Sequence, residues 1–61
     1  MASELRHKEI LNLLNQNGSI TIRELKKRLF VSEATIRRDL AELERSGALK
    51  RTFGGAKPIF D

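Results

Sequence analysis

The absence of cysteine from a chain of 61 residues limits its possible folds more than any other feature. A domain of this size buries only about 60% of the surface that its unfolded chain exposes, so its stability is marginal. Without cysteine, neither a disulfide nor a thiolate zinc site can reinforce the fold. We therefore expect a core of locally packed helices, in one domain over residues 1–61.

The charge balance favours a polyanionic partner. Twelve Lys and Arg residues against eight Asp and Glu give a formal net charge of +4, although a solvated helix also often carries extra lysine. No apolar run approaches the roughly 20 residues that cross a bilayer. Charges at Arg6, Lys8 and Glu9 interrupt any secretory signal. We expect a soluble, cytoplasmic protein with no membrane partner.

Apolar residues recur at helical spacing in three segments. The first helix is predicted from about residue 4 to 16, with Ser3 as N-cap, and the second from 22 to about 29. The third is predicted over about 33–46, with Ser32 as N-cap and a glycine after its end. The second helix is too short to be stable alone, so it depends on its neighbours.

Two local signals frame the second helix. Thr21 and Glu24 match a capping box, in which each side chain satisfies a backbone donor of the other residue. The segment 19–21 before it is too short for an independent strand but could form an edge piece of a sheet. Residues 30–32 form the turn to the third helix. Phe30 is bulky for such a turn and is expected to strain the backbone or expose an apolar patch.

After the third helix the hydrophobic period changes to two, as in a strand, over residues 48–53. Gly54-Gly55 is predicted to reverse the chain, and residues 57–60 to return as an edge strand because Pro58 lacks a donor. Phe53 is expected in the core beneath this hairpin. Three helices and a glycine-tipped hairpin are typical of a winged helix-turn-helix, a mostly α fold with a small β-hairpin.

The outer face of the third helix is the first candidate binding surface. At about 100° per residue, Ile36, Leu40 and Leu43 face the core and leave small residues and arginines outside. The major groove of DNA admits a helix, and arginine can bond guanine with two hydrogen bonds. The predicted DNA-binding residues of this helix are Ser32, Glu33, Ala34, Thr35, Arg37 and Arg38. The alternative is an ordinary solvated face.

The hairpin is the second candidate surface. Its glycines can bring backbone amides close to phosphates or into the minor groove, and we predict such contacts from a wing at about residues 50–58. An ordinary β-turn is the alternative. The predicted DNA-binding residues of the wing are Arg51, Thr52, Gly54, Gly55 and Lys57. The basic run 26–28 of the second helix could contact the flanking DNA backbone or could simply face solvent, and the sequence does not decide between the two.

The sequence contains no arrangement typical of catalysis. There is no nucleophile elbow and no glycine-rich phosphate loop, so we predict no enzyme, no cofactor and no metal. His7 has no partner at metal-ligand spacing and is expected to be exposed. Asp39 is expected to be structural and to orient an arginine, because a carboxylate facing phosphate would be repelled.

Residues 31–40, Val-Ser-Glu-Ala-Thr-Ile-Arg-Arg-Asp-Leu, strongly resemble the DeoR family of bacterial transcription regulators. The similarity continues in Gly54-Gly55-Ala56, and Arg6, Ile10-Leu11 and Glu24-Leu25 agree with the family's first two helices. The resemblance implies a winged helix at the N-terminus of a longer regulator, usually a repressor of sugar or nucleoside metabolism that binds a double-stranded operator. It also implies a C-terminal domain, absent here, that binds a phosphorylated sugar and forms homo-oligomers.

The sequence departs from this family at three positions. Phe30 stands where the family often has a small polar residue, and Lys26 where many such motifs keep a small residue for helix packing. Phe53 replaces a His that is common before the glycine pair. A winged helix can also serve as a protein-interaction module, whose anchors are typically aromatic or leucine. The arginines and alanine of the third helix favour DNA.

Overall fold

The computed structural model describes residues 3–59 as three helices and a small antiparallel sheet. Helix α1 spans Ser3–Asn17, α2 spans Ile22–Leu29 and α3 spans Glu33–Arg45. The strands are β1 (Ile20–Thr21), β2 (Lys50–Thr52) and β3 (Gly55–Lys57). The predicted winged helix-turn-helix is therefore confirmed, and the segment suspected as an edge piece is strand β1.

The starts of α2 and α3 follow the predicted N-caps, although the Glu24 side chain pairs with Arg28 instead of completing the predicted capping box. The Thr21 hydroxyl oxygen accepts a hydrogen bond from the backbone N–H of Glu24 at 3.0 Å. The Ser32 hydroxyl oxygen accepts one from the N–H of Thr35 at 3.2 Å. Each cap satisfies a donor that has no partner within its helix, which fixes where the helix begins.

The end of α3 is set by Gly47, whose φ of 84° lies in the left-handed region that favours glycine. The N–H of Ala48 then donates to the carbonyl of Leu43 at 2.9 Å, as in a Schellman motif. At the other end of the chain, Ser3 is the first residue of α1 rather than the cap before it, one residue earlier than predicted.

One hydrophobic core lies between the three helices and the sheet. Its α3 members are Ile36, Leu40 and Leu43, as predicted. Each such side chain, once fully buried, stabilises the fold by about 1.5–3 kcal/mol. The other buried members are Ile10, Leu13, Leu14, Ile20, Ile22, Leu25, Leu29, Leu49 and Ala56.

The sheet has the order β1-β3-β2, so the last strand in sequence lies in the middle. The predicted returning strand of the wing is present, but its predicted bounds of 57–60 are wrong, because β3 begins at Gly55 and ends at Lys57. The last predicted residue, Phe60, lies outside the described residues. The predicted edge position is also wrong, since β1 covers the second side of β3 with Ile20 opposite Ala56. Pro58 follows the strand, so its missing donor costs no ladder hydrogen bond.

The wing turns at Phe53 and Gly54 instead of at Gly54-Gly55. Gly54 supplies the positive φ of 83° that the turn requires. Phe53, expected in the core, is fully exposed at the tip of the wing. The prediction failed because the reversal occurs one residue earlier than assumed, which places Phe53 in the turn.

None of the helices within residues 3–59 is both long enough and apolar enough to cross a membrane.

Candidate nucleic-acid interface

The first two turns of α3 and its cap present the predicted residues on one side of the molecule. We call Ser32, Glu33, Ala34, Thr35, Arg37 and Arg38 the α3 surface. Five of the six are exposed and Thr35 is half-buried. The opposite side of the same helix packs in the core through its leucines and isoleucine. The helical period thus separates an exposed face from a packing face.

Two hydroxyls of the α3 surface are partly used in folding. Ser32 accepts from the backbone of Thr35, and its own hydroxyl donates to the Thr35 hydroxyl oxygen at 3.1 Å. This arrangement leaves the Thr35 hydroxyl hydrogen without a partner among residues 3–59. Ser32 serves first as the helix cap.

The two arginines of the α3 surface differ in their partners. Arg37 lies 2.7 Å from the Glu33 carboxylate through Nη2 and donates to it from Nε at 2.8 Å. The hydrogen bond and positive charge of Arg37 lower the pKa of Glu33, which is therefore ionised at neutral pH. Arg38 is exposed, and within residues 3–59 it has neither a hydrogen-bond nor an ion-pair partner. Arg38 is thus the side chain best placed to meet a new acceptor.

A basic cleft of about 530 Å³ lies between α2, the start of α3 and the wing turn. Four of its lining side chains are cationic and one is a carboxylate, so an anion of suitable size is favoured there. The lining residues are Ile22, Arg23, Lys26, Lys27, Glu33, Arg37 and Gly54. The cleft connects the wing turn to the α3 surface.

The wing is tied to both neighbouring helices. The backbone N–H and Nε of Arg51 donate to the two oxygens of Glu44 on α3, each at 2.9 Å. These bonds, the backbone one first, lower the pKa of Glu44. At the turn, the carbonyl of Gly54 accepts from the N–H of Ile22, the first residue of α2, at 2.8 Å. The wing therefore has a fixed direction relative to α2 and α3.

The structure brings most of the predicted wing residues to the surface. Arg51, Thr52 and Gly54 are exposed, and Lys57 is half-buried. Gly55 departs from the expectation, since it is buried in the central strand. A Cβ at this position would collide with the backbone carbonyl of Ile20. Gly55 is thus required for the close approach of β1 and β3, whatever its relation to DNA.

A buried ion pair joins α1 to α3 on the other side of the helix. Asp39 is 1% exposed and binds Arg6 through both carboxylate oxygens, one of them at 3.1 Å from Nη2. Burial acts to raise the pKa of Asp39, but the hydrogen bonds and charges of Arg6 and His7 outweigh it and lower the pKa below its usual value. The predicted role of Asp39, to orient an arginine, is confirmed.

The expectation that His7 is exposed is wrong. Its ring lies 3.2 Å from Asp39 and 3.4 Å from Glu42, and its side chain is 23% exposed. His7, Asp39 and Glu42 place one potential ligand atom each within 4.8 Å of one another. The guanidinium of Arg6 already neutralises Asp39, however, so a metal ion there would face a fixed positive charge. The cluster serves to join two helices.

Arg23 lines the basic cleft but is not among the residues predicted from the sequence. It precedes Lys26 and Lys27 by three and four residues, the spacing that places side chains on one helical face. This spacing is visible in the sequence and could have identified Arg23. The contribution of the wing turn to the cleft could not be predicted, because it depends on contacts between distant segments. Of the neighbouring run, Arg28 instead pairs with Glu24 at 3.5 Å.

Comparison with known proteins assigns this arrangement to a family. The sequence profile of the DeoR-like helix-turn-helix domain matches residues 6–59. The lactose phosphotransferase system repressor of Streptococcus mutans is 49% identical over 57 residues, 93% of this chain and 23% of that protein. The HTH-type transcriptional regulator GolR of Listeria innocua is 51% identical over 84% of this chain and 20% of its own length.

The HTH-type transcriptional regulator UlaR of Escherichia coli is 41% identical over 97% of this chain and 24% of its own length. The chain thus spans less than a quarter of the length of these relatives. No solved structure matches the chain with significance. The family match covers both the helices and the wing, and the chain therefore belongs to the family of DeoR-like helix-turn-helix domains, which act in DNA binding and transcription regulation.

Proposed function

We propose that the chain binds a specific double-stranded operator by inserting the N-terminal half of α3 into the major groove. The observation that carries this proposal is the exposed Arg38, which has no partner within residues 3–59. It lies one turn after Ala34, whose methyl group leaves room for base edges. A guanidinium in this position can donate two hydrogen bonds to the O6 and N7 acceptors of guanine.

The remaining residues of the α3 surface have complementary roles in this proposal. Glu33 holds Arg37, and its carboxylate can accept from the amino group of cytosine. The Thr35 methyl can contact a thymine methyl. Ser32 sits at the helix N-terminus, where free backbone N–H groups favour a phosphate. Recognition is thus concentrated in the first two turns of α3.

The DNA backbone is proposed to lie along the basic cleft and the wing. Arg23, Lys26 and Lys27 face the cleft, and their charges suit phosphates on one side of the groove that α3 enters. On the wing, Arg51 uses its backbone N–H and Nε toward Glu44. Its Nη groups therefore remain for a phosphate.

The other predicted wing residues lie close to this path. Thr52 and Gly54 are exposed beside the turn, and Lys57 is half-exposed on β3. We assign them to phosphate contact. Gly55 we assign to DNA only indirectly, through the position that it gives the wing.

We further propose that the chain is the N-terminal part of a cytoplasmic repressor of sugar or nucleoside metabolism without enzymatic activity. Relatives of this chain are named as a lactose phosphotransferase system repressor and as transcriptional regulators, and they are at least four times longer. A larger C-terminal domain would bind a phosphorylated sugar and form homo-oligomers. Two heads on a palindromic operator would then be about 34 Å apart, or a multiple of that distance.

The direct test is selection of bound duplexes from a random library, first with the wild-type chain and then with Arg38→Ala. We expect the wild-type chain to enrich one short motif that contains guanine. Arg38→Ala should lose the preference at one position and bind the selected duplex about 1–3 kcal/mol more weakly.

Arg45→Ala is the matched control, because Arg45 lies on the same helix but in its last turn. It should keep the full motif. Enrichment of no motif by the wild-type chain, or an unchanged motif with Arg38→Ala, would refute the assignment of the α3 surface.

A further inference from the structure

Phe53 is the most exposed large apolar side chain within residues 3–59, at 102% of its reference surface. It occupies the first position of the two-residue wing turn, before Gly54. Transfer of a phenylalanine side chain from water to an apolar site is favourable, and the fold leaves this gain unused. Single exposed apolar residues are common, however, so the surroundings of Phe53 must indicate its role.

The position of Phe53 is fixed by the contacts on either side of it. Gly54 accepts a hydrogen bond from Ile22 at 2.8 Å, and Arg51 is bound to Glu44 by two hydrogen bonds of 2.9 Å. The wing is thus attached to α2 at its turn and to α3 at its base. A side chain at such a tip needs little further backbone ordering when it meets a ligand, which lowers the cost of binding.

Cationic residues flank the wing turn that carries this apolar side chain. Lys50 and Arg51 precede it on β2, and Arg23 follows the α2 residue that bonds to Gly54. Glu44, the carboxylate that contacts this strand, is paired with Arg51. An exposed apolar side chain flanked by cationic residues suits a ligand with an anionic surface and an apolar interior. The minor groove of duplex DNA has both properties, with phosphates at its rims and stacked bases beneath.

We propose that Phe53 inserts as an apolar wedge into the minor groove next to the segment bound by α3, and partly unstacks one base step. This inference rests on the proposed function. The wing turn and the α3 surface line the same basic cleft through Gly54, Glu33 and Arg37, so a single duplex can contact both. Unstacking one step would bend the duplex and contribute specificity through its deformability, since pyrimidine–purine steps open most easily.

The test uses the chain with a duplex selected by the wild-type protein, carrying 2-aminopurine at each successive position outside the α3 motif. Unstacking should raise the 2-aminopurine fluorescence several-fold at one or two neighbouring positions. Phe53→Ala should abolish this rise and weaken binding about tenfold, in line with the loss of one aromatic–base contact. The salt dependence should stay unchanged because phenylalanine carries no charge.

Phe53→Leu provides the conservative variant and should retain most of the fluorescence rise, because leucine also acts as a wedge. Phe30→Asn is the matched control. Phe30 is also exposed, at 89%, but it lies near Glu9 and Leu13 on the α1 side. Asparagine tolerates the left-handed conformation found there, so this variant should fold and bind as the wild type does.

Equal affinity and fluorescence for Phe53→Ala and wild type would overturn the wedge. If Arg38→Ala still lost affinity in the same assay, the proposed function would stand without it; if Arg38→Ala had no effect either, both would fail. Wild-type binding to phosphatidylglycerol vesicles that Phe53→Ala removes, with unchanged duplex binding, would also overturn the wedge and indicate a lipid surface instead.

Discussion

At the scale of single residues, Glu33 and Arg37 form a unit on the α3 surface. Their ion pair joins side chains four residues apart, at 2.7 Å, and both are about half exposed. Glu33 also benefits from its place in the first turn of α3, near the positive end of the helix dipole. A carboxylate near DNA repels phosphates, so we infer that the role of Glu33 in the proposed complex is to direct Arg37 toward bases.

This inference predicts the effect of Glu33→Gln. Removal of a negative charge should increase affinity for unrelated duplexes several-fold, while a less constrained Arg37 should decrease discrimination between the selected duplex and unrelated ones. Fluorescence anisotropy titrations with both duplexes measure the ratio of the two affinities. Glu9→Gln is the charge-matched control, because Glu9 is exposed on α1, and it should leave that ratio unchanged. A higher ratio for Glu33→Gln would contradict the inferred role of Glu33.

At the scale of elements, α2 contributes one wall of the basic cleft. Lys26 faces this cleft together with Arg23 and Lys27. Lys26→Ala should weaken binding to all duplexes alike and flatten the log–log dependence of affinity on salt by about one unit, because one fewer counterion is released. Lys8→Ala, on α1, should leave the slope unchanged. A sequence-dependent loss with Lys26→Ala would mean that α2 contacts bases.

The three-stranded sheet depends on Gly55. An alanine Cβ there would collide with the Ile20 carbonyl, a backbone atom that can move only if β1 and β3 separate. We expect Gly55→Ala to reduce the free energy of unfolding by about 1–3 kcal/mol, measured by urea denaturation. Gly54→Asn is the control, since a side chain at Gly54 meets open space and asparagine tolerates positive φ. Wild-type stability of Gly55→Ala would contradict the close approach of β1 and β3.

The helices could be predicted from sequence more accurately than the wing could. Thr21, Ser32 and Gly47 determine their helix ends through neighbouring backbone groups, so local patterns suffice. The turn of the wing depends on pairing of Ile20 with Ala56, segments far apart in the sequence. With β1 at the edge, β3 becomes the central strand. Gly54 then forms the turn, whereas Gly55 lies within β3.

At the scale of the whole molecule, Arg6 and Asp39 connect α1 to α3. They are 33 residues apart in sequence, and the side chains are 13% and 1% exposed. The sequence indicated a structural role for Asp39 but did not identify its partner, because no local pattern relates α1 to α3. The same holds for the basic cleft, whose walls come from α2, α3 and the wing.

Asp39→Asn should destabilise the fold strongly. The substitution keeps the shape of the side chain but removes the negative charge that binds Arg6 at a largely buried site, at a cost of about 3 kcal/mol. Urea denaturation at pH 7 measures this loss. Glu42→Gln is the control, because Glu42 is half exposed and forms its ion pair with His7 rather than with a buried group. A loss for Asp39→Asn no larger than that for Glu42→Gln would contradict the structural role of the ion pair.

The pH dependence of the same pair follows from the lowered pKa of Asp39. An aspartate in the unfolded chain has a pKa of about 3.9, so the pair contributes its full stability above that pH. Its contribution is lost as the pH falls through the lower pKa of the folded state. The difference in stability between wild type and Asp39→Asn should therefore shrink below about pH 4. A constant difference from pH 7 to pH 3 would contradict the ionised pair.

The most direct test of the account is NMR of the isotope-labelled chain bound to its selected duplex. We expect intermolecular NOEs from Ala34, Thr35 and Arg38 to major-groove protons, such as thymine methyls and cytosine H5. If α3 gave no NOE to any base, and only lysine side chains gave contacts with sugars, α3 would not be the recognition helix and the central claim would be wrong.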